Sequence, residues 1–241
     1  MVDTSFNYQR IMAIVAHPDD VDFLMAGSAA KWSLEGREIN YVLCTSGDTG
    51  TSNPDMSTDK LASIREREQR AAADVVGVKE VVFLRYPDNI LQNTISLRKD
   101  IVRQIRRLKP EVVVCGNPLS YFTPWGLNHP DHRASAAAAL EAVFPSARDY
   151  HSFPDLIREG FPPHNVQEIL IEAYSDEEDF VVDVSGTFEL KISALKMHES
   201  QMIKDPARLR QFEGQLREGY SRIGSKIGVK YAEPFKRVSI L

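Results

Sequence analysis

The sequence predicts an α/β fold: one mostly parallel β-sheet with helices on both faces, in a single domain spanning residues 1–241. Three observations carry that expectation. Strand-length apolar runs alternate with segments of helical period over the first 145 residues, the rhythm of right-handed βαβ crossovers. The apolar share of 43% against 26% charged residues is enough for a full core. No internal repeat and no long linker interrupts the chain, whose length suits one large domain.

The elements follow in order from periodicity and breakers. "RIMAIVA" (Arg10–Ala16) is a short apolar run and reads as a buried strand, and "FLMAGSAAKWSLEGRE" (Phe23–Glu38) as a helix ending near Gly36. "INYVLCT" (Ile39–Thr45) is a second strand, followed by the polar loop "SGDTGTSNPDMSTD". In "KLASIREREQRAAADVVG" (Lys60–Gly77) a helix places Leu61, Ile64, Glu68, Ala72 and Val76 on one side. "EVVFL" (Glu80–Leu84) is a third strand. Leu97, Ile101, Ile105 and Leu108 recur at helical spacing in "SLRKDIVRQIRRLK", which Pro110 stops. "EVVVCG" (Glu111–Gly116) is a fourth strand, and the alanine-rich "HPDHRASAAAALEAVF" (His129–Phe144) a helix. Beyond it, "VQEILIEAY" and "DFVVDVS" read as strands of an antiparallel extension. "TFELKISALKMHESQ" and "DPARLRQFEGQLREGYSRIG" read as two helices. Residues 146–165, with Pro154, Pro162 and Pro163, are the expected insertion or lid.

Composition excludes several function classes. A net charge of −5 with no Lys/Arg block argues against nucleic acid as a partner, which wants a basic face. The opening "MVDTSFNYQR" has no apolar h-region and no stretch approaches the length of a membrane span, so neither a signal peptide nor a membrane helix is expected. Cys44 and Cys115 each sit inside an apolar run, as buried free thiols of a cytoplasmic protein do.

Chemistry concentrates where strands end. In an open parallel sheet, ligands bind beyond the carboxyl ends of the strands. "HPDD" (His17–Asp20) stands at the end of the first strand, and a second His-Pro-Asp lies in "NHPDH" (Asn128–His132), leaving the fourth. A lone His-Pro-Asp is an ordinary helix entry, with an acidic residue in the first turn favoured by the dipole. Two of them on one sheet edge, with an extra Asp and an extra His, point instead to a cation among the carboxylates. Pro130 suits a helix's first turn, where His129 and His132, three apart, share a face. Two imidazoles and one carboxylate are a ligand set for catalytic zinc, and the same set accommodates Fe(II). One carboxylate and one histidine then remain for hydrolysis: a base for an acidified water, and a donor for the developing oxyanion.

"TSGDTGT" is neither a dinucleotide fingerprint nor a P-loop, so a flexible active-site loop is expected there. "SIREREQRAAADVVG" reads as a solvated charged helix, and His198 as a surface or capping histidine.

Together, "AHPDD" after the first strand and "HPDH" after the fourth resemble the LmbE-like (PIG-L) zinc-dependent N-deacetylases. "TSGDTG", the Arg65/Glu68 helix pattern, "YPDN" (Tyr86–Asn89), "HESQ" (His198–Gln201) and "YAEPF" (Tyr231–Phe235) extend the likeness over nearly the whole chain. The resemblance implies a Rossmann-like fold and removal of acetyl from N-acetylglucosamine units of small glycosides or related amides. It implies zinc held by His17, Asp20 and His132, with Asp19 as general base and then acid. His129 would be the cation that stabilises the oxyanion, Asp131 the residue behind it, and Arg65 a contact to substrate hydroxyls or a phosphate-like group. It further implies an amino-sugar substrate and assembly into homo-oligomers. The chain departs from the family's common pattern at Asn89, in place of glycine, at Ser46, and at Trp125 and Leu127. Trp125, Tyr121 and Phe122 are expected either to stack on a sugar ring or to pack. Two rival readings stand beside the deacetylase: a nucleotide-binding Rossmann-like protein, and a metal-binding member without catalysis.

Overall fold

A computed structural model describes residues 4–124, 126–174, 177–202 and 204–240. The first strands are β1 (Arg10–Val15), β2 (Glu38–Thr45), β3 (Glu80–Tyr86) and β4 (Val112–Cys115), separated by α1 (Asp20–Leu34), α2 (Thr58–Val76) and α3 (Ile95–Leu108). A two-residue-per-strand hairpin, β5 (Phe122–Thr123) and β6 (Gly126–Leu127), precedes α4 (Pro130–Glu141). Then come α5 (Pro154–Arg158), β7 (Glu168–Glu172), β8 (Phe180–Asp183), α6 (Phe188–Lys196), α7 (Pro206–Ser225) and β9 (Ala232–Ser239). The main sheet has the order β3-β2-β1-β4-β7-β9-β8. Its first five strands run parallel, and β9 lies antiparallel between β7 and β8.

Strand alternation divides the core. Ile11, Ala13 and Val15 of β1 pack with α1, α2, α6 and α7, while Met12 and Ile14, with Ala16 just beyond, pack with α3, α4 and α5. Both faces are covered, which is why β1, β2 and β4 read as continuous apolar runs rather than alternating ones. Order reverses between β1 and β4: β2 and β3 lie on one side, β7 on the other. That reversal opens a crevice beyond the carboxyl ends of β1 and β4, and both His-Pro-Asp motifs leave the sheet there.

Three expectations need correction. The strand that runs against the rest is β9, antiparallel to both β7 and β8, whereas β7 pairs parallel to β4 from Val112↔Glu168 onward. β9 escapes a pattern reading because Glu233, Pro234, Lys236 and Arg237 break its alternation and proline argues against an inner strand. The buried stripe of α2 is Leu61, Arg65, Gln69, Ala72, Ala73 and Val76, so Arg65 and Gln69 face inward where a solvated helix was expected. Residues 146–165 do not form a lid over the motifs. Arg106, fully buried near the end of α3, donates to the carbonyls of Ser146, Ala147, Asp149 and Ser152 at 2.9–3.1 Å. His164 Nε2–H donates to Pro110 O at 2.6 Å. These bonds tie the segment to the amino edge of the sheet, opposite the motifs. Leu156 anchors it in the core.

Arg106 alone satisfies four loop carbonyls, and hydrogen bonds to a charged donor are the stronger kind. Arg106→Met is therefore expected to lower stability by about 3 kcal/mol in urea titration, while metal binding at the far edge stays unchanged.

Candidate metal and active site

The first motif turns sharply because Asp19 adopts φ 87°, in the left-handed region, between β1 and α1. Gln69 holds this conformation by accepting the Asp19 N–H at 2.8 Å. Asp20 is then the first residue of α1, and its carboxylate turns back to accept the His17 N–H at 2.8 Å. The second motif begins α4. His129 is its N-cap, accepting the Asp131 N–H on Nδ1 at 3.2 Å, and Pro130 follows at the first helical position.

The two turns bring three imidazoles together, with ring centroids 4.8–5.3 Å apart for His17, His129 and His132. Asp20 bridges two of them: Oδ2 lies 3.2 Å from His17 Nδ1, and Oδ1 lies 3.0 Å from His132 Nε2. The far nitrogens are occupied. His17 Nε2–H faces Asp88 Oδ1 at 2.9 Å and Asp131 Oδ2 at 3.4 Å. His132 Nδ1–H donates to Asn128 Oδ1 at 3.0 Å. Carboxylates and amides that hold one ring nitrogen leave the other as a ligand of fixed direction. His17 Nδ1, Asp20 and His132 Nε2 thus form a borderline-soft N₂O donor set that fits a zinc ion.

Electrostatics agree with a site built for a cation. Burial disfavours charge on His17, yet the carboxylates of Asp20, Asp131 and Asp88 outweigh it and push the imidazole up to about 12. Burial likewise works against ionised Asp20, and His132 and His17 overcome it, holding Asp20 well below the usual carboxylate range. Asp19 behaves differently. Burial and then repulsion from Asp20 raise it to about 6, with Arg65 partly offsetting both. A carboxylate poised there is able to accept a proton near neutrality and return it.

His129 is neutral in this arrangement, where a cation was expected. Its Nδ1 accepts an N–H, so Nε2 carries the proton and donates to Asn89 Oδ1 at 3.0 Å. Burial and then the neighbouring His17 charge hold it below its ordinary value. Asp131 is fully buried and leans toward His17 rather than His129; its Oδ1 stands 3.9 Å from His129 Nδ1. Arg65 is buried beneath the first motif, donating to Pro18 O at 2.8 Å and Gly47 O at 3.3 Å. Its guanidinium lies 3.5 Å from Asp19 Oδ2. Gly47, at φ 63°, is where the loop crosses this arginine, and a Cβ there would stand 2.4 Å from the guanidinium.

Pattern reasoning left several partners unassigned. Asp88 belongs to "YPDN" at the carboxyl end of β3, the same sheet edge as both motifs, and that position was the available signal. The loop after β2 holds it: Thr49 N–H and Oγ1–H both donate to Asp88 Oδ2, and Asp88 N–H donates to Asp48. Asn89 takes φ 68°, which asparagine tolerates better than most residues. His198 is not on the surface: it is buried and its Nε2 lies 2.8 Å from Asp22 Oδ2, which also accepts from Gln69. At the mouth, Tyr121, Phe122 and Leu127 are exposed, so they are not core packing. Trp125 lies outside the described residues.

Comparison with known proteins identifies the family. A family profile described as "PIG-L: GlcNAc-PI de-N-acetylase" matches residues 12–143, which contain both motifs. A diacetylchitobiose deacetylase of Thermococcus kodakarensis is 32% identical over 238 residues, 98% of this chain and 86% of the relative. The chain belongs to the PIG-L family. A probable N-acetyl-alpha-D-glucosaminyl L-malate deacetylase 2 of Bacillus anthracis is 27% identical over 218 residues, covering 88% of this PIG-L protein and 90% of the relative. The structure of N,N'-diacetylchitobiose deacetylase from Pyrococcus horikoshii, complexed with an inhibitor, superposes with a TM-score of 0.87 at 31% identity, over 97% of this chain and 85% of that one. Among the described residues, no helix of this PIG-L member is long and apolar enough to cross a membrane.

The donor set generates a graded prediction. His17→Ala or Asp20→Ala removes a ligand and is expected to abolish stoichiometric zinc, measured by mass spectrometry of the purified protein. Asp88→Asn leaves the ligands in place but slackens His17, and the zinc dissociation constant should weaken about 10- to 100-fold.

Proposed function

We propose that this protein is a zinc-dependent N-deacetylase acting on a small glycoside that contains N-acetylglucosamine. One observation carries the reading: at the switch point of the sheet, Asp20 bridges His17 and His132, while Asp19, against Arg65, and His129, bonded to Asn89, stand outside that bridge. Its relatives named as diacetylchitobiose and glucosaminyl-malate deacetylases support the substrate class.

His17, Asp20 and His132 would hold the metal. A zinc ion bound there supplies Lewis acidity, acidifying a water and polarising the amide carbonyl. Asp19 accepts the water's proton on its carboxylate and then delivers it to the departing amine nitrogen. Its raised pKa suits both transfers, since an acid near 6 neither binds nor releases a proton at great cost at neutral pH. His129 donates its Nε2–H, now spent on Asn89, to the oxygen that gains charge as the carbonyl becomes tetrahedral. A neutral donor is sufficient for that role. Asp131 and Asp88 keep His17 oriented from behind. Arg65 acts on Asp19 rather than on substrate, stabilising the carboxylate form and locking the Pro18 carbonyl. The exposed ring of Phe122 offers an apolar face to a sugar ring; the Tyr121 ring is stacked under the Arg133 guanidinium, which lies 4.1 Å from the ring centroid.

The decisive experiment pairs metal content with acetate release from N,N'-diacetylchitobiose. About one zinc per chain with zinc-dependent acetate release is the expected result; a zinc-loaded protein that releases none from any N-acetylglucosamine glycoside would overturn the reading. Asp19→Asn should keep its zinc and lose about 10²- to 10⁴-fold in kcat. Arg65→Ala removes the cation that lowers Asp19, so the acidic limb of the kcat/KM profile should move to higher pH. An unmoved limb would assign Arg65 elsewhere.

A further inference from the structure

The α1 helix is broken one turn after it begins. Met25 has φ −149° and ψ 17°, which separates the turn Asp20–Leu24 from the body of the helix. In an unbroken helix the Gly27 N–H would donate to Phe23 O and the Ser28 N–H to Leu24 O. Here Gly27 N–H donates to Glu233 Oε1 at 3.0 Å and Ser28 N–H to Glu233 Oε2 at 2.7 Å. The orphaned Phe23 carbonyl instead accepts from Lys191 Nζ at 2.6 Å and from the Tyr220 hydroxyl at 2.7 Å. Lys191 and Glu233 close the circuit with each other at 2.6 Å, both fully buried. A buried ion pair is therefore spliced into the gap of the helical ladder. Thr187 Oγ1–H donates to Gly27 O at 2.8 Å, and a Cβ at Gly27 would stand 3.0 Å from Val184 and 3.1 Å from Glu233, so any larger residue would crowd this joint.

We propose that the Lys191–Glu233 pair, with Tyr220, is the positioning device of the metal site. It fixes the angle at which the turn Asp19–Leu24 presents Asp19 and Asp20 to His17 and His132. A single helical turn has no stability of its own, so its direction is set by what its two ends are tied to. Gln69 holds the leading end through Asp19 N–H, and Lys191 and Tyr220 hold the trailing end through Phe23 O. Glu233 is the acidic residue of "YAEPF", which the roles assigned above leave unused. All three residues lie beyond residue 143, where the family match stops. On this account the C-terminal α6, α7 and β9 serve the site from behind rather than by touching substrate.

The inference rests on the metal-site reading for its zinc readout, and the test separates the two. Zinc-free and zinc-loaded full-length protein would be compared with Glu233→Gln and the milder Tyr220→Phe, which deletes one donor to Phe23 O. Three signals are followed below the melting temperature of each variant: the ¹⁵N shifts of His17 in zinc-free protein, which report its bond to Asp20; the zinc dissociation constant against a chromogenic chelator; and kcat and KM on N,N'-diacetylchitobiose. Glu233→Gln should shift the His17 nitrogens, weaken zinc at least about tenfold and lower kcat with KM little changed. Tyr220→Phe should show the same pattern at smaller size and retain its fold. A variant that melts earlier yet keeps the His17 shifts, the zinc constant and kcat would reduce the pair to a stabiliser and overturn the proposal. Wild-type protein that binds no zinc would overturn the metal reading instead, leaving the His17 shifts to decide the positioning role.

Discussion

Four carboxylates, those of Asp19, Asp20, Asp88 and Asp131, are gathered around one buried imidazole, and this concentration of negative charge is the constraint on which the rest of the site depends. Ionised carboxylates this close repel, and burial raises the cost further. His17 offsets it by holding positive charge with a carboxylate on each nitrogen, and His132 adds a second partner to Asp20. Among the described residues no histidine makes a hydrogen bond to Asp19; burial, and then repulsion from Asp20, leave its pKa raised. On the proposed reading, the same imbalance that suits the cluster to a cation suits its odd member to carrying a proton.

Much of the surrounding structure serves to hold these groups against their repulsion. Gln69 links the Asp19 backbone to Asp22, which is bonded in turn to His198, so that α1, α2 and the segment after α6 share one buried polar chain. The loop after β2 pins Asp88 with Thr49 and is itself crossed by Arg65 at Gly47. Polar residues at these positions contradict a purely apolar core, and each has a partner from a different element. Removing one member leaves its buried partners without a hydrogen bond, which ties the integrity of the site to that of the fold.

The fold was readable because its signals are local. Apolar runs of strand length, helical spacing in α3 and the prolines after it depend on a few neighbouring residues, and the two His-Pro-Asp motifs identify themselves without any contact. β9 was not readable: proline and three charged side chains hide a strand that only its neighbours β7 and β8 justify. The inward face of α2 was misread for a related reason. Arg65 and Gln69 look solvated by composition, and only the Pro18 carbonyl and Asp19 N–H waiting beneath them explain their burial.

By itself the sequence determined the parallel sheet and set both His-Pro-Asp motifs at one edge of it, because strand order along the chain and motif position along each strand are one-dimensional facts. Only the tertiary structure decided how those residues share their charges. That Asp88 and Asp131 hold the far nitrogen of His17, that Asp20 reaches His132, that His129 gives its Nε2 to Asn89, that Arg65 lies against Asp19, and that an ion pair from the last third of the chain splices α1 all depend on contacts between residues far apart in the chain. Protonation and direction are set by what surrounds a group in space, and no local pattern encodes that.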